Sequence, residues 1–455
     1  MSSSLSDLCA WAAALTASDI PPDVATIVRL QHVGLAGAAR RLAALPGGAE
    51  LGVGAAAQTG RFLQLPFDDL TAGGRVGAGL GPAAWLTEAG TLDQLVASSV
   101  AAFEVAARVG LAGAVAARAD EVDLRAMRVA AAVIRALAAG SGASGMLAEV
   151  EGALADGAAV ALADVAGSAG ARRLAEAVHR PGASGGAKLA PSAALGAPGA
   201  VWLARTLIIP RYPGSPWMNT ALDALDVVLC RHLKAGEKRL RADQIERVVF
   251  RTAWGSAEAA AAGLPRPALG ATSLAEAAAL MITHHELGPE WLAEGASGDK
   301  TEDVAAVASR VEVVTDSRLS ARKARLLAEA LGPVLGEAGL RVIAKAAAGR
   351  LRGAEISGEI LPLLRERPWA AVAGLRRTGG LAACTVDDAL AWPTELKLYT
   401  TRGGWWPERR QSPTGHGAGL QAAALARFGD DARAGRLLAS PGDRAASDWI
   451  AELLS

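Results

Sequence analysis

The stretch IPRYPGSPWMNTALDALDVVL, from Ile209 to Leu229, joins a turn-rich segment to an amphipathic helix. The run PGSP after Tyr212 stiffens its first part, because proline, glycine and serine favour turns. Leucine and valine then recur at helical spacing, which predicts a helix. Asn219 and Thr220 stand where an N-cap belongs. The first N–H groups of this helix are therefore expected to face a cleft and to hold a negative or polar ligand group.

Length and composition indicate a folded globular protein with room for two or three domains. A chain of 455 residues that is 51% hydrophobic can bury a sizeable core. Lysine plus arginine and aspartate plus glutamate each number 46, so the formal net charge is zero. This balance gives no basic footprint for nucleic acid or for an anionic membrane surface, and we expect neither as a partner.

The cysteines and the apolar runs predict a cytoplasmic protein. Cys9, Cys230 and Cys384 are far apart and odd in number, which favours reduced thiols over a disulfide scaffold or a zinc site. The first residues predict an amphipathic helix and no signal peptide, and the apolar runs are too short to span a bilayer. The chain has no Walker A run, and its GAGLGP segment lacks the preceding strand that dinucleotide binding needs. We therefore expect no cofactor and no metal.

Hydrophobic periodicity divides the chain into helical and mixed parts. Residues 5–199 are rich in alanine, leucine and valine at helical spacing, with polar side chains on narrow stripes, which is typical of helices buried by other helices. After Arg205, β-branched runs at 245–252, 310–315 and 340–345 predict strands, and they alternate with predicted helices at 219–235, 273–287 and 319–338. Helical patterns return from Gly417.

These patterns predict a mainly α fold with an α+β part. A large helical domain would comprise residues 1–205 together with C-terminal helices at 415–455, and a smaller α+β lid domain would span 206–414. Glycine- and proline-rich segments at 181–199 and 403–418 are predicted to be the two crossings between the domains.

The stretch from Ile209 to Leu229, which we call the hinge stretch, resembles the hinge motif of the MmgE/PrpD family. That family includes 2-methylcitrate dehydratase, cis-aconitate decarboxylase and iminodisuccinate epimerase. That motif is Tyr-Pro, one residue, Cys, three residues, His, three residues and Asp-Ala. Tyr212-Pro213 and Asp223-Ala224 match it in register, whereas Ser215 stands at the Cys position and Asn219 at the His position. The resemblance implies a helical domain interrupted by an α+β lid, and a homodimer.

Three further segments carry the resemblance, around Asp68, Lys188 and Glu276. Phe67, Asp68 and Asp69 match a family run that surrounds the substrate, although Pro66 and Leu70 replace its leading Asp and its Thr. We predict that Asp68 and Asp69 orient the catalytic groups, with capping of a turn or helix as the alternative. Thr71 and Arg75, in the adjoining segment, are predicted to contact substrate.

Lys188 and Glu276 are the candidate groups for proton transfer. Lys188 precedes Gly199 by the spacing of a family lysine, and such a lysine binds a carboxylate or, with a lowered pKa, moves a proton. Its alternative is a solvated loop lysine. Glu276, in TSLAEAAAL, replaces a family Tyr. It is predicted to be a protonated acid in an apolar cleft or, alternatively, a residue on a helix surface.

The hinge motif itself supplies neutral polar groups. Asn219 donates and accepts hydrogen bonds but does not exchange a proton near pH 7, so the change from His removes an acid or base and keeps a polar contact. Tyr212 and Ser215 are predicted substrate contacts. Ser215 lacks a neighbouring base in the sequence, which favours a turn serine over a nucleophile.

Tryptophan is unusually frequent, with 11 residues against two Tyr and five Phe. Trp202 precedes the stretch 209–229 and Trp217 lies within it, and Trp369, Trp392, Trp405 and Trp406 fall in the predicted lid or near its crossings. Several such rings would give a large, flat-walled apolar pocket for a bulky hydrophobic ligand. Ordinary core packing is the alternative for each of them.

Together these features favour an enzyme that closes a ring in a bulky apolar, polyketide-like substrate. A pericyclic, 4+2-type or conjugate-addition closure is accelerated by a confined near-attack conformer and by one or two hydrogen bonds that polarise a carbonyl. Lys188 and Asn219 would polarise the substrate. One alternative is a hydro-lyase, decarboxylase or epimerase that acts on a small carboxylic acid. Another is a non-catalytic ligand-binding protein that kept the fold.

Overall fold

The computed structural model describes a mainly helical chain with one small four-stranded sheet. The described residues are 5–43, 76–87, 90–114, 119–155, 198–199, 202–209, 211–212, 218–235, 240–253, 273–284, 302–319, 322, 392–412, 414–415 and 417–455. All structural statements below concern these residues. The predicted strand at 340–345, and the predicted helix at 319–338 apart from its first residues, lie outside them.

Six helices precede the hinge stretch and six follow its start. The first six are α1 (Leu5–Ala14), α2 (Pro22–Ala43), α3 (Gly77–Trp85), α4 (Leu92–Ala114), α5 (Ala119–Ala138) and α6 (Gly142–Ala155). The others are α7 (Asn219–Lys234), α8 (Leu274–His284), α9 (Glu302–Ala308), α10 (Leu420–Phe428), α11 (Asp431–Leu438) and α12 (Ala446–Leu454). The strands are β1 (Ile245–Thr252), β2 (Val311–Thr315), β3 (Thr394–Thr400) and β4 (Trp405–Arg410).

Two hydrophobic clusters form the core. The first, which we call the helical cluster, joins apolar residues of α1–α6 to those of α10–α12 and to the segment 202–209. The second, the sheet cluster, begins at Tyr212 and combines α7, α8 and α9 with the inner face of the sheet. The boundary between the clusters therefore falls inside the hinge stretch, between Ile209 and Tyr212. The division of the chain into two domains stays a prediction.

The helical cluster also buries polar side chains that the sequence pattern did not indicate. Glu104 on α4 pairs with Arg108 one turn later, and its other carboxylate oxygen accepts the N–H of Ala204 at 2.8 Å. His32 on α2 is fully buried: its Nδ1 accepts the indole N–H of Trp85 at 3.1 Å, so its Nε2 carries the proton and donates to Ser99 Oγ at 2.9 Å. Paired in this way, these groups lose little on burial.

The sheet has the order β2-β1-β3-β4, with β2 parallel to β1 and the other two pairings antiparallel. Val248 and Phe250 on β1 face the sheet cluster together with Leu396 and Leu398 on β3. The predicted strands at 245–252 and 310–315 are confirmed as β1 and β2.

The sequence analysis missed β3 and β4, and its predicted crossing at 403–418 was wrong over 405–410, which form β4. Charged residues alternate with apolar ones along TELKLYT, and proline within WWPERR normally argues against a strand. Because β4 is an edge strand, it can hold Pro407, whose missing N–H costs no ladder bond when that position faces away from β3. The position of β4 at the edge of the sheet explains why a segment that contains proline forms a strand. No local sequence pattern shows that position.

The described cysteines are free thiols, as predicted: Cys9 is buried and Cys230 is exposed. Burial raises the pKa of the Cys9 thiol to about 12, which keeps it protonated and unreactive. Cys384 lies outside the described residues. Within the described helices, none is both long and apolar enough to cross a membrane.

Candidate functional site

Two chain segments run side by side where the two clusters meet. Residues 207–212 lead from the helical cluster into the sheet cluster, and residues 411–419 lead back from β4 to α10. The N–H of Ile209 donates to the carbonyl of Gly415 at 2.8 Å. A Cβ at position 415 would lie 1.9 Å from the Ile209 carbonyl oxygen, so only glycine allows this approach. We call this paired region the hinge.

Tyr212 and Asn219 are brought together in the hinge. The backbone N–H of Tyr212 donates to Asn219 Oδ1 at 2.9 Å, and both residues are buried. The sequence-based prediction of a capping role for Asn219 and Thr220 was wrong. Met218 occupies the N-cap position without a side-chain capping bond, and Asn219 is the first residue of α7. Asn219 Oδ1 accepts a hydrogen bond from Tyr212 in the preceding segment and not from its own helix, because the buried N–H of Tyr212 needs an acceptor.

Among the described residues of the hinge and the start of α7, three side-chain atoms are buried without a hydrogen-bond partner: the Tyr212 hydroxyl, Asn219 Nδ2 and Thr220 Oγ1. An unsatisfied buried polar group costs about 1–3 kcal/mol, so each of them calls for an explanation. Asn219 Nδ2 is purely a donor, and the two hydroxyls also donate. The chemical complement of this group is a hydrogen-bond acceptor. We call the Tyr212 hydroxyl and Asn219 Nδ2 the hinge donors.

A buried carboxylate lies one turn further along α7. Asp223 is 2% exposed and accepts both the backbone N–H of Thr414 at 2.8 Å and its hydroxyl at 2.9 Å. Burial raises the pKa of Asp223, while the two bonds from Thr414 and the nearby Arg211 oppose that rise. Asp223 therefore ties the returning segment to the helix that carries Asn219.

Arg211 completes the electrostatics of the hinge. Its guanidinium bonds Asp226 at 2.7 Å, lies 3.9 Å from Asp223 and is 5.1 Å from the centre of the Tyr212 ring. The pKa of Tyr212 is raised, chiefly by burial and next by the Asp223 charge, which outweighs the opposing effect of Arg211. The Tyr212 phenol is therefore neutral at physiological pH, a donor that does not ionise.

Glu276 forms part of the N-terminal cap of α8. Ser273 and Glu276 form a reciprocal capping box at the start of α8: the Glu276 carboxylate accepts the Ser273 N–H at 3.1 Å, and Ser273 Oγ accepts the Glu276 N–H at 3.2 Å. The sequence analysis offered a helix-surface residue as the alternative and did not predict this capping box. The role of Glu276 as an acid stays a prediction.

The described tryptophans of the predicted set pack in the two clusters or on the sheet. Trp202 is buried in the helical cluster with its ring 6.0 Å from that of Trp11, and Trp392 belongs to the same cluster. Trp406 lies edge-on to His232 at 5.6 Å. Trp405 is 53% exposed and lines an open cavity of about 560 Å³ on the outer face of the sheet. For Trp202, the core-packing alternative describes what is seen.

Most remaining predicted site residues lie outside the described part of the chain. These are Asp68, Asp69, Thr71, Arg75, Lys188, Ser215 and Trp217. Their roles stay predictions. Of the predicted residues that the structure describes, Tyr212 and Asn219 are in contact.

Four residues at the hinge escaped the sequence analysis as functional candidates: Arg211, Asp223, Asp226 and Thr414. Arg211 directly precedes Tyr212, and Asp223 and Asp226 stand three residues apart on one helical face, so an ion pair there was predictable. Thr414 gave no signal, because 191 residues separate it from Asp223. Among the described residues, no group of His, Cys, Asp and Glu side chains has the arrangement of a metal site.

Comparison with known proteins adds no relative. No protein-family model matches the chain, and no curated protein matches it in sequence.

Proposed function

We propose that this chain is a cofactor-independent enzyme that closes a ring in a bulky apolar, polyketide-like substrate, bound in an interdomain cleft of an MmgE/PrpD-like scaffold. The observation that carries the proposal is the pair of hinge donors, buried and without partners. An enzyme gains from such groups when they meet the substrate in a place that excludes water. These groups lower the stability of the ligand-free protein, as is usual for groups that are held in place for a substrate.

The proposed reaction is a pericyclic, 4+2-type or conjugate-addition closure. Hydrogen bonds from Tyr212 and Asn219 to a substrate carbonyl withdraw electron density from the conjugated system and make it more electrophilic. Confinement of the flexible chain supplies the near-attack conformer. Neither contribution needs a proton to leave the enzyme. Loss of a well-placed donor of this kind lowers turnover by about 10²–10³-fold.

The same geometry weighs against acid–base chemistry by the hinge donors. Asn219 has no titratable proton, and the pKa of Tyr212 is raised by burial and by Asp223, away from the range of a general base. A lyase or epimerase on a small carboxylic acid would need Lys188 and Glu276 as its acid and base. A ligand-binding protein that kept the fold would use the hinge donors without turnover.

The remaining parts of the proposal extend the predictions from sequence. Lys188 would join Asn219 in polarising the substrate, Asp68 or Asp69 would orient these groups, and Thr71, Arg75, Ser215 and Trp217 would line the cleft. We further propose a cytoplasmic homodimer whose partner is a hydrophobic small molecule.

The test compares metabolites of the strain that carries the gene with those of its deletion mutant. Ring closure by these routes conserves mass, so the deletion strain should accumulate a compound with the mass of the missing product and a different retention time. Purified protein added to the deletion extract should convert one into the other. A substrate that instead loses the mass of water or carbon dioxide would contradict the cyclase and support the lyase.

Two variants locate the activity in the hinge. Tyr212→Phe removes one donor and preserves the ring, and we expect about a 10²-fold loss of kcat with little change in KM. Asp243→Asn changes an exposed ion pair remote from the hinge and should leave turnover unchanged. Full activity of Tyr212→Phe would refute the role of the hinge donors. Absence of any conversion by wild-type protein would leave only a binding role.

A further inference from the structure

The outer face of the sheet, which points away from the sheet cluster, carries an open cavity of about 560 Å³. Small-molecule sites in proteins have volumes of about 300–1,000 Å³, so a ligand of modest size fits here. Val249, Lys397 and Pro407 line the cavity and lie opposite one another on β1, β3 and β4. The row is therefore apolar on both sides of one cation.

Trp405 on β4 is the aromatic part of the cavity lining and is 53% exposed. The Lys397 ammonium lies 5.2 Å from the centre of the Trp405 ring. Nowhere in the described part of the chain does a carboxylate pair with Lys397. One ligand can therefore reach, at the same time, an exposed indole and an ammonium that has no carboxylate partner there.

The neighbouring row on the same face consists of Arg251, Glu395 and Arg409. Glu395 lies 3.1 Å from Arg409 and 3.9 Å from Arg318. Asp316 is shared in the same way, between Arg318 at 3.3 Å and Arg251 at 3.6 Å. Each of these two carboxylates therefore faces two arginines, which leaves the arginines only partly neutralised.

Glu408 also lines the cavity, but two arginines outside the lining bind its carboxylate. Arg231 bonds it at 2.7 Å, and Arg410 lies 3.5 Å from it. Counted over the described residues, the charged side chains of the lining and their ion-pair partners comprise six cations and three carboxylates. The excess of positive charge beside an exposed indole favours an anionic occupant. The cations are Arg231, Arg251, Arg318, Lys397, Arg409 and Arg410, and the carboxylates are Asp316, Glu395 and Glu408.

We propose that this cavity binds an aromatic carboxylate, whose carboxylate pairs with Lys397 and whose ring packs on Trp405. The inference goes beyond the proposed function, because none of the hinge residues lines the cavity. A carboxylate gains a charge-assisted hydrogen bond from the Lys397 ammonium, and the partly neutralised Arg251 and Arg409 attract it further. Aromatic stacking on the indole adds to the gain from the area that the ring buries. A neutral ligand with the same ring gains the stacking alone.

The experiment titrates 2-naphthoate and 2-naphthamide into the full chain and measures each Kd by ligand-observed NMR. The two probes share one ring system and differ in charge. We expect 2-naphthoate to bind at least about fivefold more tightly than 2-naphthamide. Added NaCl should weaken the binding of 2-naphthoate and leave that of 2-naphthamide nearly unchanged, because salt screens exposed charges.

Substitutions at two positions show whether the probes bind in the cavity. Lys397→Met removes the ammonium and keeps an unbranched side chain, so it should weaken 2-naphthoate about fivefold and change 2-naphthamide less than about twofold. Trp405→Leu removes the indole and should weaken both probes at least about threefold. Lys397→Arg keeps the charge and Trp405→Phe keeps an aromatic ring, and each should retain most of the wild-type affinity for 2-naphthoate.

Lys234→Met is the matched control. Lys234 is exposed at the end of α7, which packs on the inner face of the sheet, so the same charge change there should alter neither Kd. Near-ultraviolet circular dichroism of each variant shows whether the fold is kept. Equal wild-type affinity for the two probes, or no binding of 2-naphthoate, overturns the proposal. So does unchanged 2-naphthoate binding in Trp405→Leu, or a loss that is as large in Lys234→Met as in Lys397→Met.

Discussion

At the scale of single residues, unpaired polar atoms at the hinge lower the stability of the folded protein. The Tyr212 hydroxyl, Asn219 Nδ2 and Thr220 Oγ1 are all buried without a hydrogen-bond partner. Apolar atoms in their place would avoid the desolvation cost. A purely structural hinge has no use for such groups, which is why they mark the candidate site.

We predict that Tyr212→Phe stabilises the protein while it weakens function. Removal of the unpartnered hydroxyl should raise the free energy of unfolding by about 1 kcal/mol, measured by urea denaturation in the absence of ligand. Thr206→Val is the matched control, because the Thr206 hydroxyl is buried and bonds the Leu203 carbonyl at 2.7 Å. That variant should be destabilised, and a destabilised Tyr212→Phe would mean that the hydroxyl is satisfied in solution.

His32 should make stability depend on pH. Burial lowers the pKa of His32 from 6.5 to about 4, so below pH 6.5 the unfolded chain binds a proton that the folded chain does not. Stability is therefore full above pH 6.5 and falls as the pH drops towards 4, by about 3 kcal/mol in all. His32 contacts the neutral side chains of Ser99, Trp85 and Trp449, which do not stabilise a positive charge on its ring.

The measurement is the free energy of unfolding of wild-type protein and of His32→Gln at pH 7.5 and at pH 5.0. The variant lacks the titrating ring and should lose less stability than the wild type over this interval. Equal pH dependence in the two proteins would show that His32 does not titrate as its burial implies.

At the scale of elements, backbone contacts decide where the helices and strands begin. The capping box of α8 holds Glu276 by its bond to the Ser273 N–H, and β4 accepts Pro407 because it is an edge strand. The helix α7 begins at Asn219 without a side-chain cap, since that side chain serves the neighbouring turn.

For Glu276, we predict that Gln replaces Glu without loss. Gln also completes a capping box, so Glu276→Gln should change the free energy of unfolding by less than about 0.5 kcal/mol and leave turnover intact. Glu276→Ala should cost about 0.5–2 kcal/mol. A large loss of turnover in Glu276→Gln at unchanged stability would instead restore Glu276 as a proton donor.

For the paired hinge segments, we predict opposite effects of alanine at two glycines. Gly415→Ala places a methyl group 1.9 Å from the Ile209 carbonyl oxygen and should destabilise the protein by about 1–3 kcal/mol or more. Gly435→Ala, in α11 with open space around it, should stabilise by about 0.5–1 kcal/mol. Chemical denaturation of both variants gives the comparison, and a neutral Gly415→Ala would mean that the two segments separate in solution.

At the scale of the whole molecule, Asp223 and Thr414 connect two clusters of the core. The helical cluster contains residues from both the beginning and the end of the chain, so the segment 411–419 has to return across the hinge. The Asp223 carboxylate holds that segment through two bonds from Thr414. A bond to a charged group of this kind contributes about 1.5–3 kcal/mol.

We predict that Thr414→Val loosens the hinge without unfolding either cluster. The valine keeps the shape and the backbone N–H bond but removes the hydroxyl from Asp223, so hydrogen exchange should accelerate at 207–212 and 414–419. Exchange in the centres of α4 and β1 should stay unchanged. Thr26→Val removes an exposed bond within α2 and is the control. Uniform acceleration over the whole chain would show that the hinge does not open separately.

The sequence by itself determined the local structure. Buried helices, the strands β1 and β2 and the turn-to-helix transition at the hinge all follow from periodicity and turn composition. It also singled out Tyr212 and Asn219, and it listed core packing for Trp202 and a helix role for Glu276 among the alternatives. These features are local, since each depends on residues within a few positions of one another.

Only the tertiary structure decided the rest. β3 exists because its backbone groups pair with β1, more than 100 residues earlier in the chain, and β4 joins the same sheet by pairing with β3. Thr414 meets Asp223 only after the chain has returned. Whether Asn219 caps its helix or serves Tyr212 depended on which N–H lacked an acceptor once the chain had folded. Long-range pairing and burial determine which polar groups bond to each other. The spacing of neighbouring residues in the sequence does not show either of them.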